Sequence, residues 1–206
     1  MGLEVTHSGR DGITVPYGPI FDEVRKNHGF TDTRGRPDLA AKIVEGTSSQ
    51  ALRHLLVRIA EEGAYFSLGC DLGNHTEEEA PEAQRQVAGG YIQVSALKYR
   101  RQKTDHYDRL AEAIEGQLRQ RVGSAHWTLI FEYVWVRFRL PNESRVTRPS
   151  LWIWFFVAGA TMGDAISGRE VLIGVLSDVL HAAEVRSALV ARPRGRQRRV
   201  AGGNGG

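Results

Sequence analysis

The sequence is poor in cysteine, with Cys70 alone among 206 residues. A single cysteine excludes an intramolecular disulfide, and the scarcity of cysteine favours a reducing compartment over a secreted one. The chain also lacks cysteine and histidine pairs at metal-ligand spacing, and it lacks a glycine-rich phosphate loop with its lysine. We therefore predict no metal site and no cofactor.

Long apolar runs are absent as well. The longest uninterrupted run, Leu151 to Ala160, is about half of the ~20 residues that a membrane-spanning helix needs. Met1 to Arg10 contains no apolar stretch of the kind found in signal peptides. We expect no transmembrane segment and a cytoplasmic location.

The basic charge of the chain is concentrated at its end. The net charge is +3, and without residues 191–206, which hold five arginines and no acid, it becomes −2. This Arg/Gly-rich tail has too few apolar residues to fold, so we predict that it is disordered and that residues 1–190 form one domain, with an irregular segment at 1–35. Such a tail attracts polyanions through counterion release.

Two aromatic strands, 126–140 and 151–160, form the centre of the predicted fold. They contain all four tryptophans, and the turn residues between them favour a hairpin. Both faces of both strands carry apolar side chains, whereas a sheet with one solvated face alternates apolar and polar residues. We therefore expect both faces of the two aromatic strands to be covered, by other parts of the chain, a partner subunit or a ligand.

The surrounding elements follow from helical and alternating patterns. The Gly-rich, acidic segment 73–89 is predicted to be an exposed loop. The predicted elements are a helix from Ser48 or Ser49 to Gly63, strands 64–72 and 91–100, a helix from Thr104 or Asp105 to Gly123, and a last helix that starts at a Ser167–Glu170 capping box.

This order predicts an α+β fold, in which an antiparallel sheet of four to five strands carries helices on one face. Two topologies fit the pattern. If an early strand joins the sheet, the chain traces a ferredoxin-like split βαββαβ unit with a C-terminal βα extension; otherwise it forms two ββα units. In both, the helices leave the second face of the aromatic hairpin uncovered, so we expect a homo-oligomer.

One strand start resembles a catalytic motif. His126-Trp-Thr128 and the apolar residues after it resemble half of the signature of two-histidine phosphoesterases. The resemblance implies that His126 acts as general acid or base and that Thr128 holds the phosphate. The other six histidines lack a Ser or Thr two positions on. The competing interpretation is a histidine at a strand entrance without catalytic role.

Basic and aromatic residues also indicate binding of an anion. If the strands around 100 and 137 are neighbours, their side chains form a cationic patch suited to phosphates and stacked bases. The candidate ligand-binding residues are Tyr99, Arg100, Arg101, Arg137 and Arg139, together with Arg194, Arg196, Arg198 and Arg199 of the tail.

Three functions follow as hypotheses, and the sequence leaves open whether the protein is an enzyme. The leading one is an oligomeric binding or assembly protein that self-associates through its aromatic sheet and engages nucleic acid or a nucleotide. The alternative is a phosphoesterase centred on His126 and Thr128. A third is a small-ligand sensor whose pocket is formed by the polar strand residues Tyr65, Asp71, Tyr91, Gln93 and Ser95.

Overall fold

A computed structural model describes residues 2–7, 13–22, 26–62, 64–77, 85–97, 104–122, 126–139 and 146–190. The predicted tail at 191–206 lies outside these residues. Along the chain the elements are β1 (Gly2–His7), β2 (Thr14–Val15), β3 (Ile20–Phe21), β4 (Lys26–Asn27), α1 (Pro37–Ala40), a 3₁₀ helix (Val44–Ser48), α2 (Gln50–Glu62), β5 (Tyr65–Glu77), β6 (Arg85–Ala96), α3 (Thr104–Arg121), β7 (His126–Phe138), β8 (Val146–Gly159) and α4 (Met162–Val190).

The main sheet has the strand order β1-β7-β8-β6-β5. Strands β5 to β8 pair with one another in antiparallel fashion, which confirms the predicted α+β class. β1 and the short β2 both pair with β7 in parallel, so the sheet is mixed at that edge. An early strand, β1, therefore does join the sheet, but at the edge beyond β7, whereas β8 lies between β7 and β6. Two ββα units, β5-β6-α3 and β7-β8-α4, thus describe the central strands better than a split βαββαβ unit does.

The helices cover one face of this sheet and enclose the larger core. α4 contacts α2, α3, β6 and β8. Aromatic residues of the hairpin supply its bulk, as expected for strands whose inward side chains lie against helices. Fully buried members include Trp127, Phe131, Phe155, Ile114, Leu172 and Leu176.

A buried tyrosine ties this core to two strands. The Tyr107 hydroxyl of α3 accepts a hydrogen bond from the Ala96 amide at 3.0 Å and donates one to the Pro149 carbonyl at 3.2 Å. Tyr107 is completely buried. Its hydroxyl therefore satisfies backbone groups of β6 and β8 that water does not reach.

The second hairpin strand, β8, starts five residues before its predicted start at Leu151. The turn residues predicted between the two strands include Arg148-Pro149, because proline cannot donate to a sheet ladder. β6 pairs with β8 only from Leu151 to Gly159, whereas β7 pairs with it from Val146 to Ala158. Pro149 is tolerated because it lies where β8 has a neighbour on one side only.

The buried side of β7 changes at its middle. Up to Tyr133 the odd residues are buried against the helices, and from Val134 onward the even residues are buried. A smaller core on the face opposite the helices causes this change. It consists of Val15, Phe66, Leu68, Val136 and Phe138, with Tyr17 and Phe30 packed against it. The N-terminal segment, residues 13–22 and 26–33, thus covers one end of the second sheet face.

The predicted capping box at Ser167 and Glu170 is wrong, because α4 begins earlier, at Met162. Thr161 and Asp164 form the reciprocal box instead: the Asp164 amide donates to Thr161 Oγ1 at 3.1 Å, and the Thr161 amide donates to Asp164 Oδ2 at 3.2 Å. Glu170 caps another helix. It accepts hydrogen bonds from Ser49 Oγ at 2.8 Å and from the Ala51 amide at 3.2 Å at the start of α2.

At both ends of the predicted loop 73–89 the chain is strand: residues 73–77 and 85–89 belong to β5 and β6, and residues 78–84 lie outside the described residues. The Gly-Gly pair that indicated a loop is required by close packing: a Cβ on Gly89 would lie 2.6 Å from Phe156 Cδ1, and one on Gly90 would collide with the carbonyl oxygen of Asp71. Glycine marks close backbone approach here and not a turn.

The predicted alternation of strand 64–72 is interrupted by a register shift between Ser67 and Gly69. Before the shift Phe66 points into the smaller core, and Leu68 at the shift does the same. After it Cys70 belongs to the larger core. A bulge of this kind moves successive side chains to the other face, so the single apolar face predicted for this strand is wrong.

Candidate functional site

The half of the second sheet face that lies beyond the N-terminal segment is called the open face. Residues paired across a sheet share a face. The register therefore places Asp71, Tyr91, Trp154 and Ile130 in one row across the sheet. Other members of this face are Gly73, Gly89, Phe156 and Thr128 in the next row, and the rows on either side include Trp152, Glu132, Ala158 and His126.

Three aromatic rings form the centre of the open face. The centroids of Tyr91 and Trp154 are 4.9 Å apart, those of Trp152 and Trp154 are 5.2 Å apart, and those of Tyr91 and Trp152 are 5.6 Å apart. The Trp154 indole donates to Glu132 Oε2 at 3.3 Å. The Trp152 indole N–H is buried and makes no hydrogen bond within the described chain. The rings themselves are only partly covered.

A cleft of about 350 Å³ adjoins this cluster at Tyr91. One wall is the β5–β6 edge, and the other walls come from the N-terminal segment and from residues 42–45. The Tyr17 hydroxyl donates to the Leu68 carbonyl at 2.8 Å, which fixes the N-terminal wall to β5. Gly69 leaves room for that hydroxyl, since a Cβ there would be 3.2 Å from it.

Burial and negative charge both act on the tyrosines of the cleft. Burial is the larger cause that raises the pKa of Tyr17 to about 12, and acidic groups, Glu45 among them, add to it. The pKa of Tyr91 is raised mainly by burial, and by Tyr17 and Asp71 among others. Both hydroxyls are therefore protonated at neutral pH; that of Tyr17 donates to the Leu68 carbonyl.

Cys70 is not placed for nucleophilic chemistry. It is 8% exposed, within the larger core. Burial raises the pKa of its thiol, and the charges of Glu45 and Asp71 raise it further. The thiolate is the reactive form of cysteine, so this thiol is inert at neutral pH.

His126 and Thr128 are both exposed on the open face, at the start of β7. In the register His126 lies beside Ala158, and Thr128 beside Phe156. Those neighbours on β8 are apolar, and neither supplies a second acid, base or phosphate ligand. His126 and Thr128 thus lie on the same face, but β8 does not supply the second histidine and hydroxyl residue of the two-histidine signature.

Only two of the predicted arginines fall within the described residues. Arg137 and Arg139 are exposed at the end of β7. Their strand and the strand leading to 99–101 are not neighbours, because β8 lies between β7 and β6. The condition for the predicted patch is therefore not met. The other candidates, Tyr99, Arg100, Arg101, Arg194, Arg196, Arg198 and Arg199, lie outside the described residues.

The predicted sensor pocket is divided by the fold. Asp71 and Tyr91 line the cleft. Tyr65 belongs to the larger core, and Gln93 is buried, where it donates to Ser150 Oγ at 2.8 Å. The cleft residues that sequence analysis missed are those from distant segments, Tyr17 and Glu45. No local pattern connects them to β5, because the N-terminal segment has few alternating or helical positions.

Among the described residues, no group of three or more His, Cys, Asp or Glu side chains is arranged to hold a metal ion. No described helix combines the length and apolarity needed to span a membrane. Comparison with known proteins finds no matching family model, no matching curated protein and no matching solved structure. The proposals below therefore depend on the geometry of this chain.

Proposed function

We propose that the protein is a non-enzymatic binding or assembly protein that self-associates through the open face of its sheet. The observation that carries this proposal is the partly exposed cluster of Tyr91, Trp152 and Trp154, next to Ile130 and Phe156. Described segments cover the helical face and one end of the second face, but they leave these side chains half-buried. Contiguous apolar surface of this kind marks an interaction site.

A second copy of the chain is the occupant that fits best. Closed symmetric assemblies are the commonest way for soluble proteins to bury such a surface, and a two-fold axis brings the same patch from both subunits together. Aromatic residues are enriched at the centres of interfaces, where their large area is buried at low entropic cost.

Sedimentation velocity at tens of micromolar protein tests self-association. Thr128→Arg inserts a charge into the open face and is expected to shift the assembly toward monomer. Thr147→Arg is the matched control, since Thr147 is exposed on β8 and pairs with Arg137 beyond the aromatic rows. A strictly monomeric wild type contradicts the proposal, as does an assembly that Thr128→Arg leaves unchanged.

The anionic partner, nucleic acid or a nucleotide, is the second part of the proposal. Its support is the arginine-rich tail, together with Arg137 and Arg139 at the surface. Each neutralised phosphate of a single strand contributes about −0.7 to the slope of log affinity against log salt, so the five tail arginines contribute at most about −3.5. Deleting Arg192 to Gly206 should flatten the slope by up to that amount in fluorescence anisotropy.

Replacing the five tail arginines by lysine is the control for that measurement. Lysine preserves the charge, so the salt slope is expected to stay close to that of the wild type. An affinity for oligonucleotide that is independent of the tail rejects this part of the proposal. Sedimentation velocity tests self-association separately from this binding measurement.

A phosphoesterase is the alternative function. What favours it is that His126 and Thr128 are exposed together on one face, where a phosphoester has access to both. His126→Ala should then abolish turnover of a chromogenic phosphodiester while the far-UV circular dichroism spectrum stays unchanged. Turnover equal to that of the wild type rejects His126 as the general acid or base.

A further inference from the structure

The geometry points to a binding site for a small organic ammonium ion in the cleft between Tyr17 and Tyr91. This site is distinct from the surface proposed for self-association, although Asp71 and Tyr91 border both. Its volume of about 350 Å³ lies at the small end of the range for ligand pockets. All of its lining residues belong to the described chain.

Three aromatic rings contribute to the wall. Tyr17 and Phe30 come from the N-terminal segment, with ring centroids 6.1 Å apart, and Tyr91 comes from β6. Because the faces of aromatic rings carry partial negative charge, such walls attract cations without demanding precise hydrogen-bond geometry. They also suit the methyl or methylene groups of an organic cation.

The charged groups favour a cation over an anion. Glu45 and Asp71 contribute two carboxylates to the lining, whereas Lys42 contributes the single ammonium group. His28 is the remaining titratable group from the N-terminal side. Glu45 makes no ion pair within the described chain, so its charge is available to a ligand. The charge of Glu45 reaches the hydroxyls of both Tyr17 and Tyr91.

The hydroxyl groups define which cations fit. The Tyr17 hydroxyl already donates its proton to the Leu68 carbonyl, so its oxygen presents a lone pair to the cleft. Ligands that combine an ammonium group with a short hydroxylated or amino-bearing chain would use both the ring faces and these oxygens. Choline and ethanolamine have this chemistry and suit the volume.

Isothermal titration calorimetry with choline tests the site. Choline is expected to bind with one-to-one stoichiometry, whereas its neutral isostere, in which a tert-butyl group replaces trimethylammonium, should bind about tenfold more weakly. Tryptophan fluorescence is a second readout, because Tyr91 contacts Trp152 and Trp154. Ethanolamine distinguishes a preference for quaternary from one for primary ammonium.

Variants that each remove one charge of the cleft test whether choline binds there. Glu45→Gln and Asp71→Asn should each weaken choline binding about fivefold, which is within the range for one ion–ion or cation–π contact. Glu112→Gln is the matched control, since Glu112 is exposed on α3 in the helical layer. Lys42→Gln should strengthen binding, and a gain of affinity cannot arise from loss of the fold.

Any of four results would overturn the inference. They are absence of choline binding at millimolar concentration, equal affinity for choline and its neutral isostere, equal weakening by Glu112→Gln, and binding of inorganic phosphate in place of choline. Sedimentation velocity measures self-association, and calorimetry measures binding in the cleft. Failure of one proposal is therefore distinguishable from failure of the other.

Discussion

Gly89→Ala should destabilise the protein, because Gly89 lies directly beneath the Phe156 ring. An added Cβ would be 2.6 Å from Phe156 Cδ1 and 2.9 Å from the carbonyl oxygen of Phe155. The ring can turn away, but the carbonyl belongs to the β6–β8 ladder and cannot. Forcing extra atoms into packed structure costs about 1–3 kcal/mol, so we expect the free energy of unfolding to fall by about that amount.

The matched control is Gly73→Ala, since Gly73 is the cross-strand partner of Gly89. A Cβ on Gly73 meets nothing within 4 Å. Alanine there restricts the unfolded chain and should raise the free energy of unfolding by about 0.4–1 kcal/mol. Urea titrations followed by circular dichroism measure the stability of both variants. The slope of the unfolding free energy against urea concentration should stay unchanged. If Gly89→Ala is as stable as Gly73→Ala, the close approach of Phe156 is wrong.

Three further predictions concern groups that join separate elements. Tyr107→Phe should cost about 1–3 kcal/mol in urea unfolding, because it leaves buried backbone groups without their partner; an unchanged midpoint contradicts the bridge to β6 and β8. Glu170→Ala should cost about 0.5–2 kcal/mol by uncapping α2, and in a Ser49→Ala background its cost should shrink, because the two side chains act together; additive costs argue against a shared cap. Asp178 has a pKa below its ordinary 3.8, chiefly because Arg121 donates a hydrogen bond to it, so its contribution is present at neutral pH and is lost as the pH falls through the lowered pKa. The stability curves of wild type and Asp178→Asn should therefore converge in acid, and a difference that grows in acid contradicts this.

Much of the central sheet follows from the sequence because its signals are local. The stripe of α3, the cap of α2 at Ser49 and the aromatic strands all lie within a few residues of the features that predict them. The errors arise where a residue serves a distant partner. Glu170 satisfies the capping-box spacing with Ser167 but is used by α2, more than a hundred residues away.

The candidate site was predictable only in part for the same reason. The doubly apolar hairpin indicated that a second face needed a cover, and part of that cover is the N-terminal segment. Residues 13–17 alternate as a short strand does, and β2 lies there, but so short a pattern does not say which strand it joins or that Tyr17 and Phe30 pack against Phe66 and Leu68 of β5. Asp71 and Tyr91 were found because they lie on regular strands.

The change of buried side in β7 means that one strand belongs to two cores of unequal size. The smaller core has five buried side chains, and its hydrogen bonds to β7 include those from the Arg137 and Arg139 amides to the Ile13 and Val15 carbonyls. Such a unit opens at a lower free energy than the whole domain. Its opening removes one wall of the cleft while the sheet persists. Hydrogen exchange at these two amides should be faster than in the first half of β7, and a bound ligand should slow it.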